Sequence, residues 1–256
     1  MALPSIRACA AAAVFALAAT AVVLPRPALA LDEAARKEIE QVIREYLLAN
    51  PELMLEVQEA LEAKQKANRL AAQQKTLSDQ SEAIYSATNQ IAIGSPDAPI
   101  TIVEFFDYNC GFCQRALSDM NRLVEDGNVR FVLKEFPILS QQSFDAHKIS
   151  IAFARLMPDK AAEFHRQLLG AEGLKDGERA LELAVSLGAD REAIAAAAGE
   201  PVVLDTIRQN HKLAEDLGIT GTPSYVVGDE VVFGAVGFDD LSTRVANVGQ
   251  CGKATC

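Results

Sequence analysis

The spacing of apolar side chains changes twice along the chain and divides it into three stretches. Ala10 to Leu24 is apolar throughout except for Thr20, with Arg7 ahead of it and Ala28-Leu29-Ala30 behind. A positive start, an apolar run and a small-x-small end form the pattern of an export leader, here residues 1–30 with cleavage after Ala30. The alternative, a membrane anchor, needs about 20 apolar residues, and this run is shorter. From Asp32 to about Tyr85 the chain is rich in Ala, Glu, Gln, Lys and Leu, with no Gly and one Pro. Ile39, Val42, Ile43, Tyr46 and Leu47 recur at helical spacing, as do Leu53, Met54, Val57, Ala60 and Leu61. Asn50-Pro51 reads as an N-cap followed by proline at the first helical position, so one helix ends near Ala49 and the next begins at once. Both stripes need a partner. Beyond Leu61 the seam thins to Leu70, Leu77 and Ile84 among polar residues, the pattern of a solvated spacer. Residues 31–90 are thus a helical oligomerisation stalk and linker.

Gly94-Ser95-Pro96-Asp97-Ala98-Pro99 is turn-forming punctuation, and 91–256 forms the globular domain. Ile100 to Phe106 is an apolar strand interrupted by Glu104, Cys113 to Glu125 is helix-like, and Val129 to Phe136 is a second strand, which makes a β-α-β opening. Helical stretches fill about 143–217, broken at Pro158, Gly170 to Gly177, Gly188 to Asp190 and Gly199 to Pro201. Ser224 to Val227 and Val231 to Phe233 flank Gly228-Asp229-Glu230 as a hairpin, and Asp239 to Val248 closes with a helix.

Charge and cysteine usage narrow the function. Without residues 1–30, which hold Arg7 and Arg26, 22 basic side chains face 35 acidic ones, a net of −13. Such a surface repels phosphate backbones and argues against nucleic acid as a partner. Cys9 would leave with the leader, so four cysteines remain in a compartment where disulfides persist.

Cys110-Gly111-Phe112-Cys113 stands where the first strand meets a helix. A sulfur at a helix N-terminus sits among unpaired N–H groups and partial positive charge, which favours the attacking thiolate. Cys110 is therefore the candidate nucleophile and Cys113, one turn on and more enclosed, the resolving thiol. A zinc site would need two further ligands, and His147, His165 and His211 each stand singly and read as ordinary helix residues, so no metal is assigned. Glu104 lies six residues before Cys110, where a carboxylate is costly without a use or a partner. It is either a buried proton relay for Cys113 or a group on an edge strand or paired with Lys134. Thr222-Pro223 precedes the hairpin, where a proline can only start a strand. Cys251 and Cys256, beyond the last helix, form either a structural disulfide or a second redox pair that lacks a helix start to activate it.

The stretches ITIVEFFDYNCGFCQRA at 100–116, KEFPIL at 134–139 and GITGTPSYVVG at 218–228 resemble the DsbA-like branch of the thioredoxin superfamily, over about 94–248. The resemblance implies an α/β, thioredoxin-like fold with an inserted helical subdomain, a cis Pro223 facing the dithiol, and a Thr222 whose backbone pairs with the client chain. VIREYLLANPELMLEVQEALEAKQ at 42–65 is similar to the N-terminal oligomerisation region of the suppressor-of-copper-sensitivity C (ScsC) group. Two departures matter. Gly111-Phe112 lacks the histidine of the most oxidising members, which implies a less oxidising couple, and Thr222 resembles the isomerase branch. The expectation is a periplasmic disulfide isomerase without cofactor, trimeric by resemblance, acting on exported cysteine-bearing proteins and served by a membrane redox partner. The alternatives are a dithiol oxidase and a copper(I)-binding or copper-protective protein, since paired thiolates suit Cu(I).

Overall fold

A computed structural model of the chain describes residues 32–86 and 88–256. The expected leader and its cleavage site lie outside the described residues. The chain divides into two compact units, one reaching to Glu59 and the other covering Ala60–Cys256.

In the first unit, α1 (Glu33–Ala49) is capped by Asp32, whose carboxylate accepts the Ala35 N–H at 2.7 Å. Helix α2 (Glu52–Asp79) follows directly after Pro51. Helix α1 buries no residue: Ile39, Val42, Ile43, Tyr46, Leu47 and Leu48 are exposed, as are Met54, Leu55 and Val57 on α2. This unit presents an apolar stripe without covering it.

The second unit is built on a five-stranded sheet ordered β1 (Ile91–Ile93), β3 (Val129–Glu135), β2 (Ile100–Phe106), β4 (Ser224–Val227), β5 (Glu230–Phe233). Strands β2 and β3 run parallel, joined over α4 (Gly111–Val124), and the other pairs are antiparallel. Because successive side chains of a strand point to opposite faces, β2 divides its apolar residues between two cores. Ile102 and Phe106 meet α4 and the inserted helices α5 (Gln141–Leu156), α6 (Pro158–Gly170), α7 (Gly177–Ser186) and α8 (Arg191–Ala198), with Leu241 of α10 (Phe238–Cys251). Val103 and Phe105 meet Leu213 of α9 (Pro201–Asp216), Leu217, Ile219, Leu77 of α2 and Ile84 of the short α3 (Ser81–Tyr85).

The last contacts change the picture of a solvated spacer. Leu70 is exposed as expected, but Leu77 and Ile84 are core residues of the sheet's second face. Polar bonds secure them. The side chains of Gln73 and Thr76 donate to the carbonyls of Leu217 and Asp216, at 2.9 and 3.2 Å, and so satisfy groups that the end of α9 leaves open. Tyr85 donates to the Gly228 carbonyl at 3.0 Å. Residues 73–86 therefore cover the sheet, ahead of the domain start expected at 91. Strand β1 was not foreseen because three residues are too few to show alternation, and α10 runs past Val248 to include Cys251.

Candidate active site

Strand β2 ends at Phe106 and α4 begins at Gly111, so Asp107–Cys110 must reverse from one element into the other. The Cys110 N–H closes the turn on the Asp107 carbonyl at 3.0 Å. The buried Asp107 carboxylate accepts the Asn109 N–H at 2.8 Å and reaches across to the N–H groups of Ile138 and Leu139 at 2.9 and 3.1 Å. Asn109 binds both polar groups of the Lys175 backbone, donating to its carbonyl at 2.7 Å and accepting from its N–H at 2.8 Å, and donates to Ser143 at 3.0 Å. The dithiol turn is thus bolted to α5 and to the loop before α7. Sequence reasoning missed Asp107 and Asn109. Their signal was two polar residues wedged between an apolar strand and the first cysteine, where burial demands partners.

Cys110 is the N-cap of α4 and is 7% exposed, whereas Cys113 is wholly enclosed; both are free thiols. The hydrogen bond from Cys113, aided by the Thr222 side chain and the N–H groups of Cys113 and Phe112, outweighs burial and lowers the Cys110 pKa to about 5. For Cys113 burial dominates, and its bond to Cys110 and the nearby Glu104 charge add to it, so its pKa is driven far up. The two sulfurs are chemically unequal.

Thr222-Pro223, a cis peptide, lies opposite them, with the Cys110 thiol 3.2 Å from the Thr222 carbonyl. The Pro223 carbonyl accepts the Gly234 N–H at 2.9 Å, tying this loop to the end of β5. Glu104 is buried on the α4 side of β2, opposite Leu133 and Tyr225, and burial together with the Cys110 charge raises its pKa to about 8. The edge-strand alternative fails because β2 is central. Pairing with Lys134 fails too: Lys134 aligns with Phe105, faces the other side of the sheet, and donates to the carbonyls of Ala83 and Ser86 at 2.9 Å each.

Cys251 and Cys256 are bonded to each other away from this cluster, their Cα atoms 6.4 Å apart. Ala254 between them is buried and donates its N–H to Asp229 in the β4–β5 turn at 2.9 Å. His147 and His165 lie in helices α5 and α6 as expected but are fully buried beside Tyr108, while His211 of α9 packs on Phe136. Among the described residues no group of three or more His, Cys, Asp or Glu is placed to hold a metal ion, and no helix is long and apolar enough to cross a membrane.

A CxxC dithiol at the head of a helix, a cis-proline loop facing it and helices inserted between the two halves of the sheet define a thiol-disulfide oxidoreductase of the thioredoxin superfamily. The chain belongs to the DsbA-like thioredoxin domain family, whose model matches residues 101–246, and residues 36–68 match the copper resistance protein ScsC N-terminal domain. It is similar to the crystal structure of Proteus mirabilis ScsC in a transitional conformation, at 29% identity over 85% of this chain and 96% of that one, with a TM-score of 0.62. The thiol-disulfide exchange protein alpha-DsbA2 from Wolbachia pipientis is 26% identical over 71% of this chain and 98% of that one, with a TM-score of 0.65. Among curated proteins, Na(+)/H(+) antiporter NhaA 1 of Mycobacterium sp. (strain KMS) is 30% identical over 140 residues, and the chain spans 22% of its length.

Proposed function

We propose that the protein is an exported disulfide isomerase in which Cys110 attacks and Cys113 resolves. The observation that carries this reading is the inequality of the two thiols: a Cys110 that keeps a little exposure, with a pKa of about 5, beside a wholly enclosed Cys113 with a raised one. The Cys110 thiolate attacks one sulfur of a client disulfide, forming a mixed disulfide and expelling the other client sulfur as a thiolate that takes a proton from water. In isomerisation that client thiol attacks a different client disulfide, the thiolate released there attacks the client sulfur of the mixed disulfide, and Cys110 leaves as the thiolate it began as. When the client stalls, Cys113 loses its proton, attacks Cys110 and frees the client reduced.

Glu104 serves the second step. While Cys110 is an anion, Glu104 is held protonated. Formation of the mixed disulfide removes that charge, so the Glu104 carboxyl becomes more acidic and its carboxylate becomes available to take the Cys113 proton. The client chain lies along the Thr222-Pro223 loop, and exposed Phe112, Ile138, Leu139 and Leu174, on segments tied to the 107–110 turn, offer apolar contact to an unfolded client. Cys251–Cys256 is read as a structural clamp on the tail, since the last turn of a helix does not favour a thiolate. The uncovered stripe of the first unit supports self-association, a trimer by likeness to ScsC, and a membrane redox partner keeps the dithiol reduced.

The test pairs the reduction potential of the dithiol with refolding of scrambled ribonuclease. A reducing couple with rapid reshuffling supports isomerisation, and a strongly oxidising couple with no reshuffling replaces it with oxidation.

A further inference from the structure

A closed ring of buried polar groups lies directly beneath the dithiol turn. The Tyr108 hydroxyl lies 2.8 Å from Ser150 Oγ, and the Ser150 hydroxyl donates to Glu135 Oε1 at 2.6 Å. The other carboxylate oxygen, Oε2, is bonded to Nδ1 of His147, and Nε2 of His147 accepts the backbone N–H of Tyr108 at 3.2 Å. The ring thus begins and ends on one residue, Tyr108, two positions before Cys110. All four members are buried, at 0 to 1% exposure.

The geometry fixes the hydrogens. A backbone N–H only donates, so Nε2 of His147 carries no proton and Nδ1 carries one, which it gives to Glu135. Ser150 also donates to Glu135 and so accepts from Tyr108. Glu135 receives both ends of the ring, and the raised pKa of Tyr108 reflects burial first and the nearby Glu135 charge second. His165 Nδ1, 3.4 Å from the Tyr108 hydroxyl, faces the ring from α6, and burial lowers its pKa to about 3, so it adds no charge at neutral pH.

The amides of Tyr108, Asn109 and Cys110 then have one acceptor each. Cys110 uses the Asp107 carbonyl, Asn109 uses the Asp107 carboxylate, and Tyr108 uses His147. The first two acceptors travel with the turn itself. Of these three amides only that of Tyr108 is held by another element, α5, so His147 joins the Asn109 side chain in holding the turn against the helical insertion. That hold aims Cys110 at the N–H groups of α4.

We propose that His147, oriented by Glu135, is a positioning residue for the Cys110 thiolate. This rests on the reading of Cys110 as nucleophile. With no acceptor for its amide, the turn relaxes and Cys110 loses alignment with the α4 N-terminus, so its thiolate is less favoured. Thiolate absorbance at 240 nm is titrated in wild type, His147→Ala, His147→Gln and Ile207→Ala. The last removes buried packing between α9 and α5 without touching any hydrogen bond of the turn. The expected result is a midpoint raised by about one pH unit or more in His147→Ala, restored toward wild type in His147→Gln, whose amide oxygen can accept the same N–H, and unmoved in Ile207→Ala despite a lower Tm. A folded His147→Ala protein with the wild-type midpoint overturns the proposal, as does an equal shift in Ile207→Ala. Should His147→Ala not fold, the imidazole nitrogen chemical shifts of the wild type decide: an Nδ1–H neutral tautomer at pH 7 supports the proposal, and an Nε2–H tautomer or an imidazolium overturns it. Failure of the nucleophile assignment would appear separately, as a 240 nm titration that survives Cys110→Ser.

Discussion

Glu104→Gln should make the reduced protein more stable at neutral pH while slowing release of mixed disulfides. The carboxyl is fully enclosed, and its pKa rises from an ordinary 4.5 to about 8, through burial first and the Cys110 thiolate second. For an acid with a raised pKa the native state binds more protons than the unfolded state between those two values, so stability falls as pH rises across the window. The full gap of about 3.5 units corresponds to about 5 kcal/mol, of which about 3 kcal/mol is expressed at pH 7. Glutamine keeps the shape and cannot ionise. Urea unfolding of both proteins in the reduced state, from pH 4 to 8, should give curves that meet near pH 4 and separate to about 3 kcal/mol, as an order of magnitude, at pH 7. Oxidation of the dithiol removes the Cys110 charge and should narrow the separation. Equal pH slopes for the two proteins would show that Glu104 is already ionised in the native state, and the relay would lose its basis.

Cys110→Ser should abolish all exchange, whereas Cys113→Ser should attack normally and accumulate mixed disulfides on Cys110, as read by mass spectrometry of trapped peptides; client mapped to Cys113 would reverse the roles. The Cys110 thiolate should titrate with a midpoint near 5, well below a free cysteine. Because that pKa is depressed, the stability it lends the reduced protein is present above the unfolded thiol value and is lost as pH falls through about 5, so the reduced form should lose its advantage over Cys110→Ser in acid, which unfolding midpoints would report.

The chemistry was legible where residue type and local order coincide. Cys110 and Cys113 sit at an element end that the apolar pattern marks, so a linear reading finds them, whereas the roles of Thr222 and Pro223 came only with the family resemblance; the structure brings Cys110 beside Thr222 and near Glu104. What escaped was the support beneath. Glu135 and His147 are twelve residues apart on a strand and a helix, and nothing in either local pattern says that the two side chains meet under Tyr108. His147 looks like one more helical polar residue until α5 is seen to be buried along that face. Lys134 misled differently. Its charge suggested a partner for Glu104, but strand alternation puts the two on opposite faces of the sheet, and a register is needed to see it.

The same tertiary blindness decides where the stalk can be cut. The sequence suggests a boundary at 85 to 90, yet Leu77 and Ile84 close the second face of the sheet against Val103, Phe105 and Val226. Removing a large buried aliphatic side chain costs about 2–5 kcal/mol, and a domain's net stability is only about 5–15 kcal/mol. A chain beginning after Ser86 loses two such residues and strips Lys134 of both carbonyl acceptors, which leaves a buried ammonium without partners. A chain beginning at Ala60 loses none of this. The expectation is that the Ala60 chain unfolds cooperatively in urea and exchanges thiols, while the shorter one does neither at room temperature. If self-association through the first unit serves reshuffling by raising the local concentration of dithiols, the Ala60 chain should also be a monomer by light scattering and refold scrambled ribonuclease poorly. A stable, cooperative chain starting after Ser86 would refute the role given to Leu77 and Ile84, and an Ala60 chain that isomerises as well as the full protein would assign the stalk another purpose.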